Sequence, residues 1–561
     1  MVKKPWKIIP RPLLETILNN HVQRHRVPQP LILHGPRGVG KTTLILNRLL
    51  NDWNKGPHVT GYVDFGSEHS PSPWTSWSNS PPPTLSSLHS QLETCLEELV
   101  EKGIRLGSIS SQQVFSTLNK WHGINTALRR IIQTHTISSS TTTTIASTKD
   151  KISNSVLWSK AIFAISSRMK TEEIDEILKL NEKGKVVTLD EKSYFREAWL
   201  SLKLAKEIIG VHQKWRANAV AELNRTGGYS RSLAHSCTDW PCLLLDLLSS
   251  SAELDYFQPK LVINNIEILR YATTDDSSVS ASMYHDSFLW KLTALGINER
   301  SIPIILVTSD GYYSYRVTYD FGHPDLFISR ETFGWTPQEA KMHMVSDYFS
   351  ESEWKVIAEV LGSNSRHLSE LYALKQSGCH EQIIQDSSGS MFEDIVDAYL
   401  AHLQVTMVNP AMESVLSHLQ KFAIDVRNGK VSKDCLSFGA PWRNPPHNDN
   451  PTKRLEWAKI QLMDFVQSLV NAEFGLEYFS DYSLEIFEDP CATAMTEVGL
   501  LYTQRDPPYI RPISRGIQRC LVRWLVQERM QMSFLQSFRY LWQRIIRGRS
   551  YRHLMREAGY K

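Results

Sequence analysis

Eight consecutive residues, Gly35-Pro36-Arg37-Gly38-Val39-Gly40-Lys41-Thr42, fit the pattern G-x-x-x-x-G-K-[ST]. They follow the apolar run Leu31-Ile32-Leu33 and precede helical spacing at Leu46, Leu49, Leu50 and Trp53, so the pattern stands between a predicted strand and a predicted helix. Glycines let such a loop curl until successive backbone N–H groups, with the positive end of the following helix, can surround phosphate oxygens. The pattern makes Gly35, Pro36, Arg37, Gly38, Val39, Gly40, Lys41, Thr42 and Thr43 candidate nucleotide-binding residues. Lys41 is expected to reach the β- and γ-phosphates, and the Thr42 hydroxyl to ligate Mg²⁺.

The rest of the chain is read around that loop. Val59 to Phe65, Lys260 to Asn265 and Ile304 to Thr308 have buried-strand patterns, with a last short strand at Asp325 to Ser329. Strands alternating with helices predict an α/β fold with a parallel sheet. The expected core is 1–65 and 257–335, interrupted by a mostly helical insertion over 66–256 that includes a Ser/Pro/Trp-rich loop and the polar tract Ser138 to Thr144. Within it, helices are expected over 85–100, 114–132, 154–181 and 191–225. A helical lid is expected over 336–385, opening at Thr336-Pro-Gln-Glu, and a helical C-terminal domain over 386–561.

Nucleotide hydrolysis needs an acid that holds Mg²⁺ and a group that orients water, at the end of a neighbouring strand. In Lys260-Leu-Val-Ile-Asn-Asn265 those positions are Asn264 and Asn265, neutral side chains that neither balance Mg²⁺ nor accept a proton. Glu267 can substitute only if the strand end bends toward the loop. Asp246 is the other candidate, but its leucine neighbours read as an amphipathic helix.

Together these residues resemble the AAA+-related signal-transduction (STAND, archaeal-type) P-loop ATPases over about 8–378. The resemblance rests on Ile9-Pro-Arg-Pro-Leu-Leu-Glu15 before the loop, the loop itself, the Leu261–Asn265 strand and Ile304-Ile-Leu-Val-Thr-Ser309. It implies ATP and Mg²⁺ as cofactors, with Thr308 or Ser309 as a polar sensor of the γ-phosphate. It implies Arg366, in Gly362-Ser-Asn-Ser-Arg366, as a second sensor, and Arg316 or Arg330 as an arginine finger. A slow ATP-dependent molecular switch is the expected function; the asparagine pair makes a catalytically degenerate nucleotide-binding scaffold one alternative, and a nucleic-acid-associated ATPase is the other. The family also carries winged-helix modules, to which 455–516 is similar, with a β-hairpin at Gly499 to Pro512 and Arg505, Arg511 and Arg515 as phosphate contacts.

The net charge of +3 conceals basic ends, +8 over residues 1–50 and +6 over 539–561, on a middle of −11. That distribution favours anionic partners, nucleic acid through the C-terminal tail among them. A stripe from Ile517 to Ile545 predicts a long helix or helical pair that packs, binds a protein partner or self-associates. No apolar run is long enough to span a membrane, and seven scattered cysteines show neither a disulfide framework nor a zinc pattern. An intracellular, cytoplasmic protein is expected. The basic first fourteen residues leave a mitochondrial address open, against three prolines that spoil the required helix.

Overall fold

The computed structural model describes residues 6–66, 83–120, 123–136, 153–167, 169, 171–177, 188–226, 239–253, 255–274, 280–297, 301–311, 313–314, 316–317, 324–345, 347–376, 390–431, 450–472, 476–477, 489–505 and 508–546. The Ser/Pro/Trp-rich loop over 67–82, the tract Ser138 to Thr144, the Pro/Asn-rich loop over 442–449 and the arginine-rich tail after 546 lie outside them.

Five strands form an all-parallel sheet: β1 (Leu31–His34), β2 (His58–Asp64), β3 (Gln258–Asn264), β4 (Ile304–Thr308) and β5 (Ile328–Glu331), in the order β2-β3-β4-β1-β5. The strands are apolar almost throughout because both faces are covered. Ile32, Leu261, Ile263, Ile304 and Leu306 join one core, while their neighbours Leu31, Leu33, Val262, Ile305 and Val307 join another. Alternate side chains of a strand point to opposite faces, so each run feeds two layers.

One layer is helix Pro12–Val22 with the segment after the glycine-rich loop. That segment is helical over Lys41–Leu44 only. It widens to i→i+5 bonding over Ile45–Leu49, with Leu50 N–H donating to the Ile45 carbonyl at 2.8 Å, and ends in a tight turn at Asp52–Asn54. The expected single helix is therefore a helix, a wide turn and a narrow one.

The other layer is built by helices Leu85–Arg105, Trp240–Ser251 and Ala281–Ile297. The first two belong to the expected insertion, yet Leu88, Leu92, Leu96, Leu244 and Leu248 pack into the same core as the strands. What projects beyond that layer is a bundle of Ser111–Leu118, Ile124–Thr136, Asn154–Ser166, Thr171–Ile177 and Leu189–Thr226. The helix expected over 114–132 is two helices separated near Gly123, whose φ of 82° suits only glycine well, and that over 154–181 is also two.

Helices Pro337–Met344, Glu351–Val360 and Ser365–Gln376 follow β5, the first two opened by capping boxes at Thr336 and Ser350. They share one core with Ser390–Leu403, Asn409–Arg427, Pro451–Asn471, Pro490–Glu497 and Arg515–Gln531. That half contains a small antiparallel sheet, β6 (Leu476–Glu477), β7 (Leu501–Thr503) and β8 (Tyr509–Pro512), so the hairpin expected at 499–512 is present. The last described helix, Phe534–Ile546, buries Tyr540 but exposes Phe534, Leu535, Phe538, Leu541, Trp542 and Ile545. No helix among the described residues is long and apolar enough to cross a membrane.

Candidate functional site

Parallel strands end on one side of the sheet, and the strand order puts the ends of β1, β4, β3 and β2 in a row there. The glycine-rich loop leaves β1 at His34 and enters its helix at Lys41. Beside it opens a cavity of about 500 Å³, lined by Arg37 to Leu44, Asp64, Gly66, Asn264, Asn265, Ser309, Ser365, Arg366 and the lead segment Trp6 to Ile9 with Arg11.

The loop is held from two sides. A Cβ on Gly35 would lie 2.1 Å from the Thr332 carbonyl oxygen, and one on Gly38, at φ 79°, would lie 2.5 Å from Asn364 Oδ1. Only glycine permits those approaches. From the helical side, Asn364 Nδ2 donates to the Arg37 carbonyl at 3.0 Å, and Ser365 Oγ donates to the Gly38 carbonyl at 2.6 Å. The Arg366 backbone N–H donates to that same Gly38 carbonyl at 3.1 Å. The expected lid therefore grips the loop through its first turn, and Arg366 lines the cavity.

Lys41 is buried, its Nζ donating to the Gly35 and Pro36 carbonyls at 2.7 and 3.0 Å and to Ser309 Oγ at 3.3 Å. Burial pulls its pKa down to about 7, aided by the positive charges of Arg37, Arg366 and Arg11 and opposed by Glu267. Arg11 is lowered to about 10, again by burial; its Nη1 donates to Thr332 Oγ1 at 3.1 Å and its buried Nη2 has no partner. Lys41, Arg37, Arg11 and Arg366 converge on one cavity, more cationic than anionic side chains lining it. Such a cavity is complementary to a polyanion.

Of the two sensor candidates at the end of β4, Ser309 faces the cavity. Thr308 is fully buried and its Oγ1 accepts from the Asp310 N–H at 3.0 Å, away from it. Arg316 donates to the Tyr271 hydroxyl at 3.0 Å and Arg330 is exposed on β5; neither lines the cavity. Asp246 sits in helix Trp240–Ser251 paired with Lys291 at 2.6 Å, and does not line the cavity.

Asn264 and Asn265 both reach the site, and they meet a carboxylate that is not among the sequence candidates. Asp64, the last residue of β2, stands in register with Asn264. Asn264 Nδ2 donates to Asp64 Oδ2 at 2.9 Å, Asn265 Nδ2 to Asp64 Oδ1 at 2.8 Å, and the Gly66 N–H to Oδ1 at 2.9 Å. The Asn264 Oδ1 left over accepts from Thr42 Oγ1 at 3.4 Å. The signal was present in the sequence: an acid closing a predicted strand. What was absent was the pairing of β2 with β3.

The end of β3 does bend. Asn265 has φ 56°, the one left-handed residue other than glycine among those described, and the turn carries Glu267 beneath the end of β4. There Glu267 is buried with Oε1 3.5 Å from the Ser309 N–H and Oε2 without a partner, its pKa raised by burial.

The C-terminal hairpin packs against the core. The Tyr502 hydroxyl donates to Glu331 Oε1 at 2.6 Å and lies 3.2 Å from His34 Nδ1, one residue before the glycine-rich loop. The Arg505 N–H points to Glu331 at 3.3 Å, the Arg511 guanidinium lies over the Phe333 ring at 5.4 Å, and Arg515 Nη1 donates to the Ala358 carbonyl at 3.2 Å. Of the three arginines expected as a wing's phosphate contacts, Arg511 is half-buried over Phe333, while Arg505 and Arg515 are exposed.

The chain matches no protein-family model, and no curated protein is similar to it in sequence.

Proposed function

We propose that the chain is an ATP-binding P-loop protein that works as a slow ATP-dependent molecular switch. The observation that carries this reading is the convergence of Lys41, Arg37, Arg11 and Arg366 on the cavity beside the glycine-rich loop. A triphosphate would take the place of the Gly35 and Pro36 carbonyls at Lys41 and bring negative charge to this cationic lining. Trp6, Ile8, Ile9 and Trp335, which line the same cavity, offer apolar surface for a base.

The switch reading is supported by what touches the phosphate end. Arg366 belongs to a helix whose His367 Nε2 lies 2.7 Å from Ser514 Oγ, the cap of helix Arg515–Gln531, and whose Glu370 accepts from the Tyr399 hydroxyl at 2.6 Å. Arg366 Nε stands 4.0 Å from Glu370. Movement of Arg366 toward a γ-phosphate would be felt in both C-terminal helices. The apolar face of Phe534–Ile546 supports output through a protein partner.

ATP binding and Mg²⁺-dependent turnover of the wild type and Lys41→Ala test this. Lys41→Ala is expected to lose binding by about tenfold or more, and turnover with it. Tight binding with no turnover in the wild type would leave the degenerate scaffold; no binding would sink both.

A further inference from the structure

Helix Phe534–Ile546 presents its apolar side to solvent. At 3.6 residues per turn Phe534, Phe538, Leu541, Trp542 and Ile545 fall on one side of it, and all five are exposed, Phe534 by 86% and Ile545 by 67%. Among its described side chains only Tyr540, roughly opposite, is buried, with the Arg529 guanidinium over its ring at 6.0 Å. A contiguous exposed apolar face marks an interaction site, and a helix of 13 residues held by so narrow a contact has little stability of its own.

We propose that this helix, with the arginine-rich sequence that follows it, docks an acidic partner protein that offers an apolar groove, of the EF-hand sensor class. The proposal deepens the partner output of the switch and rests on that part of the reading alone.

Three observations choose this occupant. First, the anchors come at i, i+4, i+7, i+8 and i+11, the spacing with which an amphipathic helix fills a groove. Phenylalanine, leucine, tryptophan and isoleucine are unlike in shape, and they suit a groove lined by flexible methionines, which EF-hand sensors expose. Second, the charge is complementary to an acidic groove: residues 539–556 contain six arginines and no acidic residue. A basic amphipathic helix is the form such targets take. Third, the two features are arranged in sequence, anchors first, with five of the six arginines at 544 or beyond. A helix lying in a lipid surface carries its basic residues along its polar face. Here that face brings Tyr540 to the body with Gln536 and Ser537 half-buried beside it, and Arg539 donates to Glu456 at 3.2 Å. A second copy of the helix would bring another arginine run to this one, and a nucleic acid would leave the anchors in water.

The test is titration calorimetry of the full-length chain with purified calmodulin, a probe that has such a groove, in calcium and in EGTA. A one-to-one complex is expected in at least one of the two buffers. Phe538→Ser/Trp542→Ser, which removes two exposed anchors, is expected to weaken it by about tenfold or more. Arg547→Glu/Arg552→Glu, beyond the described helix, is expected to weaken it severalfold and carries the test alone if the first variant does not fold. ATP affinity is expected to be the same in both variants as in the wild type. No complex in either buffer, or one whose affinity either folded variant leaves at the wild-type value, would overturn the proposal. So would binding to phosphatidylserine vesicles, or a mass that grows with concentration, if the anchor variant abolishes those and spares the calmodulin complex. A calmodulin complex in a chain that does not bind ATP would sink the nucleotide reading and leave this one standing.

Discussion

At the scale of single residues the site is governed by charge without water. Lys41 is held near pKa 7 because burial removes its solvation before any anion replaces it. Phosphates would raise that value, so binding above pH 7 must take up a proton, and affinity falls as pH rises, by up to tenfold per unit. The expected outcome is a Kd for ATP that is flat below pH 6.5 and climbs between pH 7.5 and 9, all approximate bounds set by that pKa. Lys41→Arg, which stays protonated, is expected to abolish the slope; titration calorimetry across the range reads both. The glycine-rich loop itself was legible from the sequence because its chemistry is local: eight residues contain the whole device. Asp64 was not, because its meaning depends on lying opposite Asn264, a residue two hundred positions away. Glu267 was legible only conditionally, since asparagine tolerates a left-handed φ without requiring one.

At the scale of elements, strands and helices were readable where their apolar period was uninterrupted, as in β1, β3 and β4. They were misjudged where backbone geometry changes without a change of pattern, as in the wide turn at Ile45–Leu49. The grip of the lid on the loop was not legible, because Asn364 and Ser365 look like an ordinary helix cap. It predicts that Gly38→Ala forces the loop and Asn364 apart: strained at φ 79° and 2.5 Å from Oδ1, the new methyl is expected to cost about 1–3 kcal/mol in denaturant unfolding and to weaken ATP binding. A second element contact carries a pH signature. His89, on helix Leu85–Arg105, lies 3.1 Å from both Glu93 and Asp239, the cap of helix Trp240–Ser251. Burial works against the charged ring, but the two carboxylates outweigh it and hold its pKa up at about 9. A raised histidine stabilises fully below its unfolded value near 6.5 and loses that contribution as pH rises through 9. Thermal melting of wild type against His89→Gln is expected to show a gap at pH 6 that closes by about pH 10. A gap independent of pH would contradict the ion pairing.

At the scale of the whole molecule, the parallel sheet was implied by alternating strands and helices, but the joining of the two halves was not. The hairpin closes on the core at Tyr502, where burial and the Glu331 carboxylate both push the hydroxyl's pKa upward and keep it a proton donor. Tyr502→Phe removes that donor and is expected to lower stability by about 1–3 kcal/mol and to speed protease cleavage at strands β7 and β8. Gly311→Ala acts on the same seam, since its Cβ would lie 1.9 Å from the Thr503 carbonyl oxygen. Unchanged cleavage in both would mean the halves are held elsewhere. The long excursion between β2 and β3 has a consequence in time. β2 is an edge strand whose one neighbour in the sheet, β3, is synthesised roughly two hundred residues after it, so a ribosome-bound chain carries a bare strand edge while the helical bundle grows. Pairing across so long an excursion is expected to slow folding, while Leu85–Arg105, the first helix made after β2, can already cover that strand's face though not its edge.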